Sequence, residues 1–359
     1  MKIEDLGYNP YFETNRHKLG LGDFPMARVT AQFKEAYRVK DADGEYLAKI
    51  TGKRMFEAVS REEYPAVGDW VAITLADKNL AVIRGILPRR AVIKRKYGDK
   101  IQIIAANIDV AFVVESVDRD YNLNRFERYF ALAHSGGVTP AIILNKVDLL
   151  SKEESGEKRS QLKNRFPNTD IIFTSVMRSE GLDELRVSIV PGKTYCFLGS
   201  SGVGKSSLIN GLLGDQPAGQ AIPTGDISAY SGRGKHVTTG RQMYILPNGG
   251  IVVDNPGMRE VGVADAGKGI DVFFDQITAL AKKCRYADCT HAHESGCAVV
   301  EAVASGKLDR EKYANYVNLK KEAEYDEMDD VEKREKDRQF GKFLKKAKEG
   351  LKNFGHKDW

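Results

Sequence analysis

Apolar and polar positions alternate in short runs from Arg28 to about Lys96. Arg28 to Val39 alternates as one stretch, Asp41-Ala42-Asp43-Gly44 has turn composition, and Glu45 to Thr51 resumes the alternation. Asp69 to Leu75 and Leu80 to Ile86 follow. About five strands in about 70 residues, without a usable helical pattern, predict a small barrel. An OB-type barrel leads, and its open face commonly binds oligonucleotides; an SH3-like barrel fits the periodicity nearly as well. Residues 1–27 lack periodicity and read as an extended or mobile tail.

From about Asn107 the texture changes. Asp109 to Val114, Pro140 to Leu144, Asp170 to Phe173, Thr194 to Leu198, Met243 to Leu246 and Ile251 to Val253 are apolar strand candidates. Helical stretches such as Asn122 to His134 and Lys152 to Arg165 lie between some of them. This is the signature of a parallel α/β sheet. After Gly257 the chain turns helical again, and Asp309 to Lys352 is charged and helix-prone. The expected plan is therefore multidomain. A tail (1–27) precedes an OB-type β-barrel (28–100) and a central α/β domain (101–265). A mostly helical C-terminal domain (266–318) and a charged helical extension (319–359) follow.

Composition narrows the setting. Apolar residues are 42% and charged residues 29%, as in ordinary globular chains. The longest apolar run, Ile101 to Val117, is broken by Asn107, Asp109 and Glu115, and Met1 to Gly20 has no apolar signal-peptide centre. A cytoplasmic protein with no membrane partner is expected. The net charge of +5 is unevenly spread. Arg84, Arg89, Arg90, Lys94, Arg95, Lys96 and Lys100 crowd one segment, and the stretch after Val331 is again basic. Such patches suit an anionic partner such as RNA.

Gly199-Ser200-Ser201-Gly202-Val203-Gly204-Lys205-Ser206 matches G-x-x-x-x-G-K-[ST], with an apolar strand before it and the helix-competent Ser207 to Leu213 after it. Glycines let successive N–H groups converge on phosphate oxygens, and the helix N-terminus adds partial positive charge. Lys205 is expected to reach the β and γ phosphates, and the Ser206 hydroxyl to ligate Mg²⁺. Asn145-Lys146-Val147-Asp148 supplies the base reader. A carboxylate at Asp148 accepts both guanine N–H donors, whereas adenine would leave it short of partners at about 1–3 kcal/mol per buried group. Asn145 can brace the loop while the Lys146 stem covers the ring. Thr174-Ser175 is placed to offer a backbone N–H to the guanine oxygen. In Asp254-Asn255-Pro256-Gly257, Asp254 can hold the magnesium shell and the Gly257 N–H can bind the γ phosphate.

These motifs imply a GTP-hydrolysing switch, and their order is unusual. Base recognition precedes the phosphate loop, which precedes the magnesium loop; in ordinary small GTPases the base motif comes last. The same sheet survives if the chain is cut and rejoined elsewhere, because the termini of compact domains often lie close together. The glutamine that orients water in Ras-like enzymes is replaced by Met258, so another group must act. Within Arg233-Gly234-Lys235-His236-Val237-Thr238-Thr239, Thr238 is the choice for the Mg²⁺ and γ-phosphate hydroxyl, with Thr239 second. His236, near-neutral at physiological pH, can orient water. A P-loop kinase would leave Asn145 to Asp148 without a purpose.

Cys284-x4-Cys289-x-His291-x5-Cys297 provides three thiolates and an imidazole, the ligand set of a closed, structural zinc site. Spacing alone leaves His293 as the alternative nitrogen ligand. Cys196, inside an apolar strand, reads as core.

Together these residues resemble the RsgA/YjeQ family of circularly permuted, ribosome-small-subunit-dependent GTPases, over about Arg28 to Ala314. The resemblance rests on Pro65-Ala66-Val67-Gly68-Asp69-Trp70, Asn145-Lys146-Val147-Asp148, the phosphate loop through Ser207, Gly234 to Thr239, Asp254-Asn255-Pro256-Gly257-Met258-Arg259-Glu260 and the cysteine–histidine cluster. It implies an OB barrel, a permuted GTPase core and a zinc domain that clamp the small (30S) subunit and its rRNA late in maturation. It also implies activity stimulated by that subunit and supports His236 as the hydrolytic residue. Val237 stands where the family usually has threonine, which favours Thr238. A monomer using GTP with Mg²⁺ and one zinc is expected. The alternatives are a nucleotide-gated RNA-binding assembly factor with incidental hydrolysis and a large-subunit assembly GTPase. The barrel in front and the cysteines behind argue against the latter.

Overall fold

The computed structural model describes residues 1–34, 36–52, 60–97, 100–118, 121–214, 222, 241–255, 266–328 and 330–354. Five strands, β1 (Met26–Gln32), β2 (Tyr37–Lys40), β3 (Glu45–Ile50), β4 (Trp70–Asp77) and β5 (Leu80–Ile86), close in the order β1-β2-β3-β5-β4-β1. The β3–β5 pairing is parallel and the others are antiparallel, which is the OB arrangement. Val29, Val39, Ala48, Ile73 and Ile83 fill the interior. The single alternating stretch expected from Arg28 to Val39 is two strands, β1 and β2, with a break after Gln32. Periodicity persists through a hairpin because both arms share one buried face.

The extended-tail reading of residues 1–27 is corrected. Ile3–Leu6 forms a 3₁₀ turn and α1 (Pro10–Lys18) is capped by the Asn9 side chain, which accepts from the Tyr11 N–H at 3.0 Å. Leu6, Tyr8 and Phe12 bury themselves against Trp70, Met26 and Leu87. The segment is too short to show periodicity, and a tertiary partner decides its structure.

Pro65 to Trp70 forms the junction beneath this cap. Gly68 has φ +96°, and a Cβ there would lie 2.0 Å from the Ala106 carbonyl oxygen. Asp69 is fully buried, bonded by Arg89 at 2.8 and 2.7 Å and by the Ala66 N–H at 2.8 Å. Arg28, also buried, donates to the carbonyls of Gly68, Leu6 and Asn107, and its guanidinium sits 5.6 Å from the Trp70 ring centre. Burial lowers its pKa to about 10, against the pull of Asp109 and Asp69. One cation thus ties cap, barrel and the following domain. Gly68→Ala is expected to cost about 2–5 kcal/mol, from the left-handed backbone and the carbonyl clash. Urea unfolding followed by Trp70 fluorescence measures it, and an unchanged midpoint contradicts this account.

The basic run from Arg84 is partly neutralised internally. Arg89 pairs with Asp69, Arg90 with Asp109 at 2.7 Å and Lys94 with Glu62 at 2.5 Å. Charge density along the chain therefore overstates the basic surface here. This run leads into an antiparallel ribbon, β6 (Val92–Tyr97) and β7 (Lys100–Ala106).

The second domain carries β8 (Val110–Ser116), β9 (Thr139–Asn145), β10 (Ile171–Thr174), β11 (Thr194–Leu198), β12 (Gln242–Ile245) and β13 (Ile251–Asp254). Their order is β10-β9-β8-β11-β13-β12. All neighbours are parallel except β12, which runs antiparallel to β13 and touches β1 of the barrel. The expected parallel sheet thus carries one antiparallel strand. The continuous apolar strands have a direct cause. Ala111, Val113, Ile142, Leu144, Cys196 and Leu198 face one core, while Phe112, Val114, Ala141, Ile143, Tyr195 and Phe197 face another. Helices α2 (Leu123–Ser135), α3 (Lys152–Arg165), α4 (Leu182–Ser188) and α5 (Lys205–Leu213) complete the domain. A capping box between Ser151 and Glu154 starts α3.

The C-terminal part is helical: α6 (Gly267–Phe273), α7 (Asp275–Ala281), α8 (Ala298–Ala304), α9 (Arg310–Glu327) and α10 (Asp330–Phe354). Ile270, Phe274, Ile277, Val299, Tyr316 and Leu319 form its core with Ala131 of α2. Polar contacts reinforce this seam. Buried Glu127 accepts from Arg165 at 2.6 Å and Asn315 at 2.5 Å, and Arg128 pairs with Glu322 at 2.5 and 2.6 Å. Gly269 packs so closely that a Cβ would lie 2.0 Å from the Ala131 carbonyl. No helix among the described residues is long and apolar enough to cross a membrane.

Candidate functional site: a nucleotide cleft and a cysteine–histidine cluster

Five parallel strands end on one edge of the sheet, where open α/β folds bind ligands. Ser116, Asn145 and Thr174 lie side by side there in register. The phosphate loop leaves β11 beside them and enters α5, with Gly204 as its N-cap at φ +96°. Gly199 has φ +145°, and a Cβ there would meet the Val114 carbonyl oxygen at 2.2 Å; one on Gly204 would meet Asn145 Nδ2 at 2.3 Å. The glycines are required by close approach as well as by backbone conformation. Val203 is buried in the core beneath the loop. The buried Ser200 hydroxyl shares a hydrogen bond with Tyr129 of α2, while Ser201 and Gly202 face outward and Ser207 is half-buried.

Lys205 is buried, and its ammonium donates to the carbonyls of Gly199 at 2.9 Å and Ser200 at 2.6 Å. Burial lowers its pKa to about 8, with Asp254 opposing. Ser206 Oγ donates to Asp254 Oδ2 at 3.2 Å. Asp254 Oδ1 is buried with no hydrogen-bond partner among the described residues, and burial raises that carboxyl's pKa. An orphan carboxylate oxygen beside a serine hydroxyl and a glycine-rich loop fits a magnesium-bound phosphate group. Asn255 Nδ2 donates to Cys196 Sγ at 2.8 Å, and burial pushes that thiol up to about 12. Cys196 is core, as expected, and also anchors the start of the magnesium loop.

The base loop is braced against the phosphate loop. Asn145 Nδ2 donates to the Val203 carbonyl at 2.8 Å, and its Oδ1 accepts from Thr174 Oγ1 at 3.0 Å. Val147 is buried beneath. Ser175 Oγ donates to Asp148 Oδ1 at 2.5 Å and so aims the carboxylate. The Ser175 N–H donates to the Glu180 carbonyl at 2.9 Å inside a tight turn. Gly257, Met258, His236, Thr238 and Thr239 lie outside the described residues.

About thirty residues beyond Asp254 in the chain, the Sγ atoms of Cys284, Cys289 and Cys297 and a ring nitrogen of His291 lie within 4.8 Å of one another. His291 Nδ1 is 3.5 Å from both Cys284 Sγ and Cys297 Sγ, while His293 is exposed. Three soft thiol ligands and an imidazole at this separation fit a tetrahedral zinc ion. The loop is organised by Glu294, which accepts from the N–H groups of Thr290, Ala292 and His293 at 2.8, 3.0 and 3.1 Å.

The comparisons with known proteins agree with this geometry. A model of the RsgA GTPase family matches residues 86–264. The small ribosomal subunit biogenesis GTPase RsgA 1 of Bacteroides thetaiotaomicron is 37% identical over 337 residues, covering 92% of each chain. The chain belongs to the RsgA GTPase family. A second relative, from Opitutus terrae and named small ribosomal subunit biogenesis GTPase RsgA, is 37% identical over 90% of each chain. The crystal structure of YjeQ from Thermotoga maritima superposes with a TM-score of 0.62 at 25% identity, covering 83% of this chain and 98% of that one. YloQ, described as a circularly permuted GTPase, gives the same TM-score at 20% identity and shares the fold.

Membership makes the cleft that of a GTPase using a guanine nucleotide with Mg²⁺. Several contacts that organise these loops lie outside every motif in this RsgA-family chain. Tyr129 on Ser200, Glu294 under the ligand loop and Asp118 beside Lys146 are single polar residues in unremarkable surroundings. Nothing local in the sequence marks them.

Proposed function

We propose that this chain is a GTP hydrolase acting as a nucleotide-gated switch in late maturation of the small (30S) ribosomal subunit. On this reading the barrel and the zinc-binding domain hold rRNA. One observation carries the nucleotide part: Asn145 of the base loop bonds the Val203 carbonyl of the phosphate loop at 2.8 Å, so both loops form one cradle. The subunit assignment is supported by the names of the relatives, which match over nine-tenths of the chain.

In this cleft Asp148 reads the guanine edge, Lys146 covers the ring, and Gly199 to Ser207 cradles the phosphates. Ser206, Asp254 and Thr238 would hold Mg²⁺, which neutralises charge on the β and γ oxygens when bound. The Gly257 N–H senses the γ phosphate, and its loss releases that loop. His236 orients the attacking water, since Met258 cannot. Cys284, Cys289, His291 and Cys297 would hold one zinc ion, structural because four protein ligands leave no open position. A monomer in the reducing cytoplasm suits these free thiols.

The test compares GTP turnover with and without purified small subunits. A rise of at least about tenfold is expected, on the scale of partner-stimulated GTPases. His236→Ala should remove most of the stimulated rate while leaving GDP affinity intact. A rate indifferent to the subunit turns the reading into that of an assembly factor with incidental hydrolysis, and stimulation by the large subunit redirects it altogether.

A further inference from the structure

We infer that Asp118 is a positioning residue of the guanine site, pinning the Lys146 side chain across the place where the base is read. The inference rests on the guanine reading above and extends it to a residue outside all its motifs.

Asp118 follows β8 directly at the ligand edge of the sheet. Its carboxylate is held from two sides: Ser116 Oγ donates to Oδ1 at 2.5 Å, and Lys146 Nζ to Oδ2 at 2.9 Å. The backbones are clasped at the same level, with the Val117 N–H on the Asn145 carbonyl at 3.1 Å. Lys146 itself has φ +62°, a left-handed conformation that a non-glycine residue keeps only where its surroundings over-determine it. Here the Val117 clasp precedes it, the Leu149 N–H bonds its carbonyl at 3.1 Å, and Asp118 holds its far end.

The consequence is preorganisation. A lysine stem has several rotatable bonds, and ordering it only when the base arrives would weaken binding. With the ammonium tethered at Asp118, the stem is ordered in advance. Asp148 is set likewise, through Ser175. Both arms of the base reader are thus positioned by side chains outside the Asn-Lys-x-Asp motif. Because GDP and GTP share the base, loss of the tether should weaken both equally and leave the chemical step alone.

The experiment measures fluorescent GDP affinity and steady-state GTP hydrolysis in the full chain. Asp118→Ala should weaken GDP and raise KM about three- to tenfold, the range between a solvated ion pair and a charged hydrogen bond, with kcat at saturation unchanged. Asp118→Glu should recover most of the loss. In a Lys146→Met background, Asp118→Ala should have no further effect, because the tether then has nothing to hold. Unchanged GDP affinity in Asp118→Ala, or an equal loss with and without Lys146, overturns the proposal. If the alanine variant fails to fold, the isosteric Asp118→Asn is read by the same criteria. Failure of the guanine reading is separate, since wild-type protein would then bind ADP as tightly as GDP.

Discussion

Lys205→Ala is expected to weaken GDP and GTP binding by about 10²–10³-fold while leaving the nucleotide-free protein at least as stable as before. The two effects have opposite signs for one reason. The ammonium is buried, bonded among the described residues by the Gly199 and Ser200 carbonyls, and desolvation lowers its pKa to about 8. Removing it relieves that desolvation. With nucleotide bound, the same group meets phosphate oxygens, and charge-assisted hydrogen bonds of about 1.5–3 kcal/mol each are lost. Titration calorimetry and thermal unfolding of the same sample report both. Intact affinity, or a large drop in melting temperature, contradicts the assigned role of Lys205.

Removal of zinc should have an equally large but differently placed effect. Between α7 and α8 the chain from Lys282 to Cys297 has no helix or strand. Turns, the Glu294 carboxylate and the cysteine–histidine cluster hold it, and His291 sits at φ +60°. Structural zinc contributes about 10–16 kcal/mol of apparent binding free energy in small modules, more than the loop's own hydrogen bonds supply. Chelation or Cys297→Ala is therefore expected to expose the segment from Lys282 to Ala304 to proteolysis. GDP affinity should persist, because the cleft and the cluster share no ligand. A colorimetric zinc assay should find about one ion per chain in the native protein. Zinc-free protein with the same protease resistance would falsify this assignment.

Helix α2 touches both the phosphate loop and the C-terminal domain. Tyr129 on one face bonds Ser200 of the phosphate loop, while Glu127, Arg128 and Ala131 on another carry the C-terminal domain. Phosphate-loop and C-terminal-domain contacts on adjacent residues of one helix suit a switch whose output is the placement of that domain.

Local residue pattern carries the motifs of both sites and the elements that present them. Thr194–Leu198 is recovered residue for residue as β11, and Lys152–Arg165 as α3. A fully buried parallel strand is apolar throughout, and Ser151 and Glu154 close a capping box at the start of α3, so both signals are local. The phosphate loop, the Asn-Lys-x-Asp loop and the three cysteines are legible for the same reason, each needing particular residue types at fixed spacing. What depends on a distant partner emerges only in the folded chain. Residues 1–27 fold because Trp70 and Leu87 offer them a surface, and the basic run at Arg84 is partly neutral because Asp69, Asp109 and Glu62 face it. His291 rather than His293 joins the cysteines because a left-handed residue turns the loop. The Ser175 hydroxyl bonds Asp148 while its N–H is taken by the Glu180 carbonyl. Pairings of this kind join groups far apart along the chain, or fix a backbone direction that residue types leave open.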